Sequence, residues 1–213
     1  MGALYEEETV LLLSELDAQI FILEGGRVQG TQHVLTVLTD QGVPVSPTTR
    51  TAIADVAWNR RQIGSNFERG RRFEGLLGFL LSQVTDFKVK ERNLRGDTDE
   101  LDVVVQIDNF SPRCWLKSGA PFVLVEAKNW KHPIDQKEVS AFIAKLQTKR
   151  GAARFGLMFG ASGFTSDAKT QVLKFSTQEH VVVLIEPEDL KQWIARERSD
   201  DFLEDLVRQA MLR

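Results

Sequence analysis

Phe122-Val-Leu-Val-Glu-Ala-Lys128 is the stretch on which the fold of this chain turns. With Pro121 it opens on an apolar run, Pro121-Phe-Val-Leu-Val125, which suits a strand buried on both faces. It closes on two opposite charges. Strand side chains alternate with a period of two, so Glu126 and Lys128 point to one side and Ala127 to the other. An isolated Glu-x-Lys on a strand is ordinarily a solvated surface pair, but charges ending a buried strand cost more to place than charges on an edge. A second apolar run, Leu101-Asp-Val-Val-Val-Gln-Ile107, carries Asp102 near its start. If these two strands pair, two carboxylates and one ammonium converge at one edge of a sheet. A carboxylate pair holds a hard divalent cation, and a nearby lysine steadies a hydroxide or the charge of a developing phosphorane.

Working outward, Asn66–Gln83 reads as a helix that buries Phe73, Leu76, Leu77, Phe79 and Leu80 and carries Glu74 within an otherwise apolar stretch. Strands are expected at Phe87–Arg92, Leu101–Ile107, 121–128, Arg154–Phe159 and His180–Ile185. Helices are expected at Ile134–Thr148, Thr165–Ser176, Glu188–Arg196 and Asp201–Leu212, with a turn over Asn109–Gly119. Three strands in a meander followed by β–α–β–α give a central mixed five-stranded sheet flanked by helices. The first sixty residues look all-helical. A stripe of Val10, Leu11, Leu13, Leu16, Ile20 and Leu23 predicts a helix over 5–24, stopped at Gly25-Gly26. A second helix is expected near Thr31–Thr39, and Ser46-Pro47 reads as the start of a third.

The composition is that of a globular chain: 213 residues, 42% hydrophobic and 27% charged. No apolar run approaches a membrane span, and Glu6-Glu7-Glu8 is unlike the basic start of a signal peptide. The lone cysteine, Cys114, excludes an internal disulfide and fits a reducing cytoplasm, where the protein is expected. His33, His132 and His180 show no zinc spacing; His132 is the one near the Glu126/Lys128 strand end. The net charge of −3 conceals an uneven distribution. Residues 1–40 set Glu6, Glu7, Glu8, Glu15, Asp17, Glu24 and Asp40 against Arg27, whereas Arg60, Arg61, Arg69, Arg71 and Arg72 crowd the approach to Glu74. Such a stripe is either a solvated face or a track for phosphates.

The ordered set Glu74 … Asp102 … Glu126-Ala-Lys128 resembles the PD-(D/E)xK, or restriction-endonuclease-like, nuclease superfamily, in its Mrr-type and Holliday-junction-resolvase-like branch. Three flanking stretches add to the likeness. They are Glu100-Leu-Asp102-Val-Val, then Glu126-Ala-Lys-Asn-Trp130 with Pro133-Ile134, Val139, Phe142 and Lys145, and finally Phe155-Gly-Leu-Met-Phe-Gly-Ala-Ser-Gly-Phe-Thr165 with Ala168. Leu101 stands where the superfamily's name has proline. The resemblance spans about residues 66–190. It implies an α/β restriction-endonuclease-like core there; the residue pattern outside it adds a helical N-terminal extension over 1–65 and a C-terminal helix over 191–213. It implies hydrolysis of DNA phosphodiesters with Mg²⁺ or Mn²⁺, in restriction, phage defence or repair.

On that reading Asp102 and Glu126 are metal ligands, and the Ala127 carbonyl is a third. Lys128 orients or deprotonates the attacking water and offsets transition-state charge. Glu74 binds a second ion or a ligand water, or else pairs with an arginine. Arg69, Arg71 and Arg72 contact DNA. Gln136 and Lys145, on the crossover helix, are surface positions or face the site. The expected partners are DNA and a second copy of the chain, or a multi-protein defence complex. Residues 1–60 would form the assembly module, or would simply pack on the core. The competing reading from a different class is an inactive nuclease-fold subunit that only binds nucleic acid or protein.

Overall fold

The computed structural model describes residues 35–36, 38–42, 44–95, 100–107, 113–115, 120–149, 151–175 and 180–212. The helix expected over 5–24 and the assembly role of its apolar stripe lie outside the described residues, as does most of the 109–119 turn. Described helical residues at 35–36 and 38–41 fall within and just past the segment where the second helix is expected.

Eleven elements follow, in chain order: α1 (Pro47–Arg60), α2 (Asn66–Ser82), β1 (Phe87–Arg95), β2 (Glu100–Ile107), β3 (Phe122–Lys128), α3 (Gln136–Gln147), β4 (Ala153–Gly160), α4 (Ser166–Phe175), β5 (Val181–Ile185), α5 (Pro187–Ala195) and α6 (Ser199–Met211). Local chemistry sets the helix starts. The Ser46 side chain accepts from the Thr49 N–H, with Pro47 in the first turn of α1. Ser65 and Glu68 form a reciprocal capping box on α2. Asp135 accepts from the Lys137 and Glu138 N–H groups to open α3.

The strands lie in the order β1-β2-β3-β4-β5. β1, β2 and β3 are antiparallel neighbours, and β3, β4 and β5 are parallel, with α3 and α4 as the crossovers. This is the mixed five-stranded sheet read from the sequence. Alternation along β3 divides two cores. Val123 and Val125 face the larger one, shared with Phe73, Leu76 and Leu77 of α2 and with α5 and α6. Leu124 faces the smaller one, filled by Val139, Phe142, Ile143 and Leu146 of α3 and by Ala168 of α4. Leu35, Leu38 and Ile53, Ala54 and Ala57 of α1 join the larger core, so the described helical residues before 66 are built into the layer that covers that face.

Two polar anchors hold this layer. Arg113 meets Asp86, Asp200, Asp201 and Glu204 at 3.0–3.7 Å, and Asp86, only 1% exposed, accepts from Trp115 Nε1 at 3.0 Å. Arg50 is buried and donates to the Arg196 carbonyl. Cys114 is buried beside Glu204, and burial pushes its thiol pKa up, which suits a packing role. No described helix is long and apolar enough to cross a membrane.

Candidate active site

The site forms where β2 and β3 end together. Their ladder runs antiparallel from Gln106–Phe122 to Val103–Val125. One residue further, the Asp102 side chain takes over from the ladder: its Oδ2 accepts the Ala127 N–H at 2.6 Å. Asp102 thereby stands beside Glu126. The alternation read from the sequence holds, since Ala127 packs toward the larger core while Glu126 and Lys128 reach the α3 side.

Glu126 is 4% exposed, so its charge needs partners. It has two. Lys128 Nζ lies 2.7 Å from Oε1, and Lys145 Nζ, from α3, lies 2.9 Å from Oε2. Lys128 also approaches Glu138 at 3.6 Å and stands 5.5 Å from the centre of the Trp130 ring. Burial works against the Lys128 ammonium, but Glu126, Asp102 and Glu138 outweigh it, leaving its pKa above the ordinary lysine value. Asp102 behaves in the opposite way. Burial and the Glu126 charge push its pKa up to about 7; the Ala127 hydrogen bond opposes this, Glu74 adds to it, and Lys128 opposes it.

Glu74 therefore belongs to the same electrostatic neighbourhood although α2 packs on the opposite face of the sheet. Among the described residues, no three His, Cys, Asp or Glu side chains are grouped to hold a metal ion. The donor set does suit one hard cation: two neighbouring carboxylates, one of them raised in pKa by burial and the other's charge, would be relieved by a divalent ion. The Ala127 carbonyl belongs to the same strand end, in the segment of β3 paired with Phe159 of β4.

Arg69, Arg71 and Arg72 of the arginine stripe lie on the first turns of α2. Arg69 donates to Asn66 Oδ1, Arg71 sits 5.3 Å from the centre of the Phe67 ring, and Arg72 acts electrostatically on Glu68. Asn129, the residue after Lys128, fastens this turn to the site. Its Nδ2 donates to the Arg61 and Arg69 carbonyls at 3.0 and 2.8 Å, and its Oδ1 accepts from Gln62 at 2.8 Å.

The sequence alone gave Asn129 no role and left Lys145 between site and surface. The available signal for Lys145 was its place beside the α3 stripe Val139, Phe142, Ile143 and Leu146. His132 is exposed and tilted against Trp130 at 5.1 Å, while Gln136 bonds Gln171 at the surface. Gly160-Ala-Ser-Gly163 is a tight turn. Gly163 has φ +78°, and a Cβ on Gly160 would lie 3.0 Å from both the Gly163 carbonyl oxygen and Ile134, so glycine is the residue that fits there.

Residues 67–194 match the Mrr_cat family model, described as a restriction endonuclease. The chain belongs to this restriction endonuclease family. The match takes in α2 and the whole sheet, and with them Glu74, Asp102, Glu126, Lys128 and Lys145. It supports a nuclease-type function, with DNA the substrate that such a domain implies; nucleases of this kind generally use divalent metals. Neither a curated protein nor a solved structure matches the chain.

Proposed function

We propose that this protein is a metal-dependent DNA endonuclease whose active centre is Asp102, Glu126 and Lys128, with Glu74 at its margin. The observation that carries the reading is the Asp102–Glu126 pair at a shared strand end, with Lys128 at 2.7 Å from Glu126. Mg²⁺ or Mn²⁺ would be held by these two carboxylates and the Ala127 carbonyl, with Glu74 serving a second ion or a ligand water. Such an ion, when bound, polarises the phosphate and lowers the pKa of its water.

The chain's own groups do the rest. In the metal-free site Glu126, Asp102 and Glu138 favour the Lys128 ammonium. On this reading Lys128 orients or deprotonates the attacking water and offsets charge on the phosphorane. Lys145 holds Glu126 from the α3 side at 2.9 Å, fixing the carboxylate in a rotamer that leaves it beside Asp102. The Ala127 N–H fixes Asp102 in the same way. Arg69, Arg71 and Arg72 bind backbone phosphates on the approach to the site.

The biological setting proposed is restriction, phage defence or DNA repair in the cytoplasm, as a homodimer or within a multi-protein defence complex. A two-fold dimer would supply the two hydrolytic events of duplex cleavage. The test is calorimetric titration of the full chain with Mg²⁺ or Mn²⁺ alongside nicking of duplex DNA. Binding and nicking that are both lost in Glu126→Gln support the reading. Metal binding without nicking, on any DNA offered, favours a binding subunit that has retired its chemistry.

A further inference from the structure

The most exposed aromatic ring among the described residues is Phe67, 70% exposed, with Ile63 at 46% three residues before the start of its helix. A single apolar side chain on a surface carries little by itself. Phe67 differs in its surroundings. It is the second residue of α2, and its turn is rigid: Ser65 and Glu68 exchange capping hydrogen bonds at 2.7–3.3 Å. Arg71 stands over its ring at 5.3 Å, with Arg69 and Arg72 on either side of that position. The interior of this region is already filled by the Trp58–Phe73 pair, 6.2 Å between centroids, so Phe67 is left facing outward.

Its position relative to the catalytic centre is fixed twice. Along α2, Phe67 and Glu74 are seven residues apart, which places them on one face of the helix and about 10.5 Å apart along its axis. Between them lie Gly70, where an added Cβ would come within 3.7 Å of Glu74 Oε1, and Arg71, whose guanidinium stands over the Phe67 ring. Across the fold, Asn129 grips the Arg61 and Arg69 carbonyls and Gln62, so the turn bearing Phe67 is tied to the residue that follows Lys128.

We infer that Phe67 stacks on a nucleobase of the DNA strand that the arginines hold by its phosphates. This rests on the endonuclease reading and assigns the site a base contact that the carboxylates and arginines cannot make. Guanidinium groups bring the backbone in and an aromatic face takes the base, a combination that serves a strand whose bases are unstacked at an end, a junction or a distorted duplex. The occupant is a base because the charge around the ring is positive, which draws a polyanion and opposes the close docking of a basic protein surface.

The experiment uses the full chain in EDTA, so that binding is separated from cleavage. Oligonucleotides carry 2-aminopurine at successive positions, as single strands and as duplexes with a frayed end. Wild type, Phe67→Ala, Phe67→Leu, Phe67→Trp and the triple replacement of Arg69, Arg71 and Arg72 by Ala are compared. The expected result is quenching of 2-aminopurine in a narrow window by wild type and Phe67→Trp. Phe67→Ala and Phe67→Leu should lose the quenching and bind about 5- to 100-fold more weakly, with the salt dependence of binding unchanged. The arginine variant should instead flatten the salt dependence.

Wild-type affinity and quenching in both Phe67→Ala and Phe67→Leu overturn the base contact while leaving the endonuclease reading in place. Absence of any DNA binding by wild type overturns both. A change of oligomeric state in Phe67→Ala with DNA binding intact, seen by light scattering, gives the ring to a second copy of the chain and overturns the base contact.

Discussion

Replacing Asp102 by Asn should stabilise the metal-free protein, and only above a defined pH. The Asp102 carboxyl is raised from 3.8 to about 7 by burial and by Glu126. The folded state therefore holds this proton more tightly than the unfolded chain does. The sign follows: its contribution to stability is fully present below about pH 4, falls as pH rises through 7, and is absent above. A displacement from 3.8 to about 7 is equivalent to about 4 kcal/mol as a ceiling at 1.36 kcal/mol per pH unit. Relaxation around the ionised pair brings the expected cost to about 2 kcal/mol at pH 8. Asn keeps an oxygen for the Ala127 N–H and carries no charge, so it removes the cost without orphaning the donor.

For a chain of this length that corresponds to a rise in Tm of roughly 4–8 °C at pH 8, shrinking toward zero at pH 4–5. Thermal unfolding followed by circular dichroism, with EDTA throughout, measures the difference between variant and wild type at each pH. Saturating Mg²⁺ should close or reverse the gap by stabilising wild type alone, by about 2.7 kcal/mol at a hundred times its Kd. A variant less stable than wild type at pH 8, or a difference that does not change with pH, would refute the claim that Asp102 is held against a neighbouring carboxylate in a desolvated site.

Three further outcomes are expected. Lys128→Ala should reduce DNA nicking by about 100-fold or more while leaving DNA affinity within a few-fold, checked by gel assay and anisotropy; unaltered nicking in a clean preparation removes Lys128 from the chemistry. Replacing Arg69, Arg71 and Arg72 together should weaken binding to all DNA sequences alike and reduce the slope of log K against log salt by up to about 3; an unchanged slope makes them a solvated face. Lys145→Ala leaves Glu126 with one ammonium where it had two, and should cost about 1–3 kcal/mol at pH 8 in chemical denaturation; an unchanged midpoint would mean that the 2.9 Å contact contributes nothing.

How much of this was legible depended on whether an interaction is local. Strand alternation along 122–128 and the antiparallel pairing with 101–107 were enough to bring Asp102, Glu126 and Lys128 together, because β3 and β2 are neighbours in sequence and in the sheet. The capping residue Ser46 marks the start of α1 from sequence for the same reason: its partner is three residues away. Lys145 could not be assigned so easily. Its contact with Glu126 depends on how far α3 is rotated over the sheet, which the packing of Val139, Phe142 and Ile143 against Leu124 sets. Asn129 was less legible still, since its partners are backbone carbonyls 60 and 68 residues away, and a carbonyl leaves no trace in side-chain identity. What requires the glycines at 160 and 163 is tertiary or conformational: Ile134 and Phe164 crowd Gly160, and Gly163 has φ +78°.

The central claim is that the Asp102–Glu126–Lys128 strand end hydrolyses DNA with a divalent metal. The measurement that meets it most directly is plasmid cleavage by the purified full chain in Mg²⁺ or Mn²⁺, beside EDTA and beside Glu126→Ala shown to be folded. The account predicts nicked and linear products with the metal, none in EDTA, and none from Glu126→Ala. Equal cleavage in EDTA, or wild-type cleavage by Glu126→Ala, would contradict it.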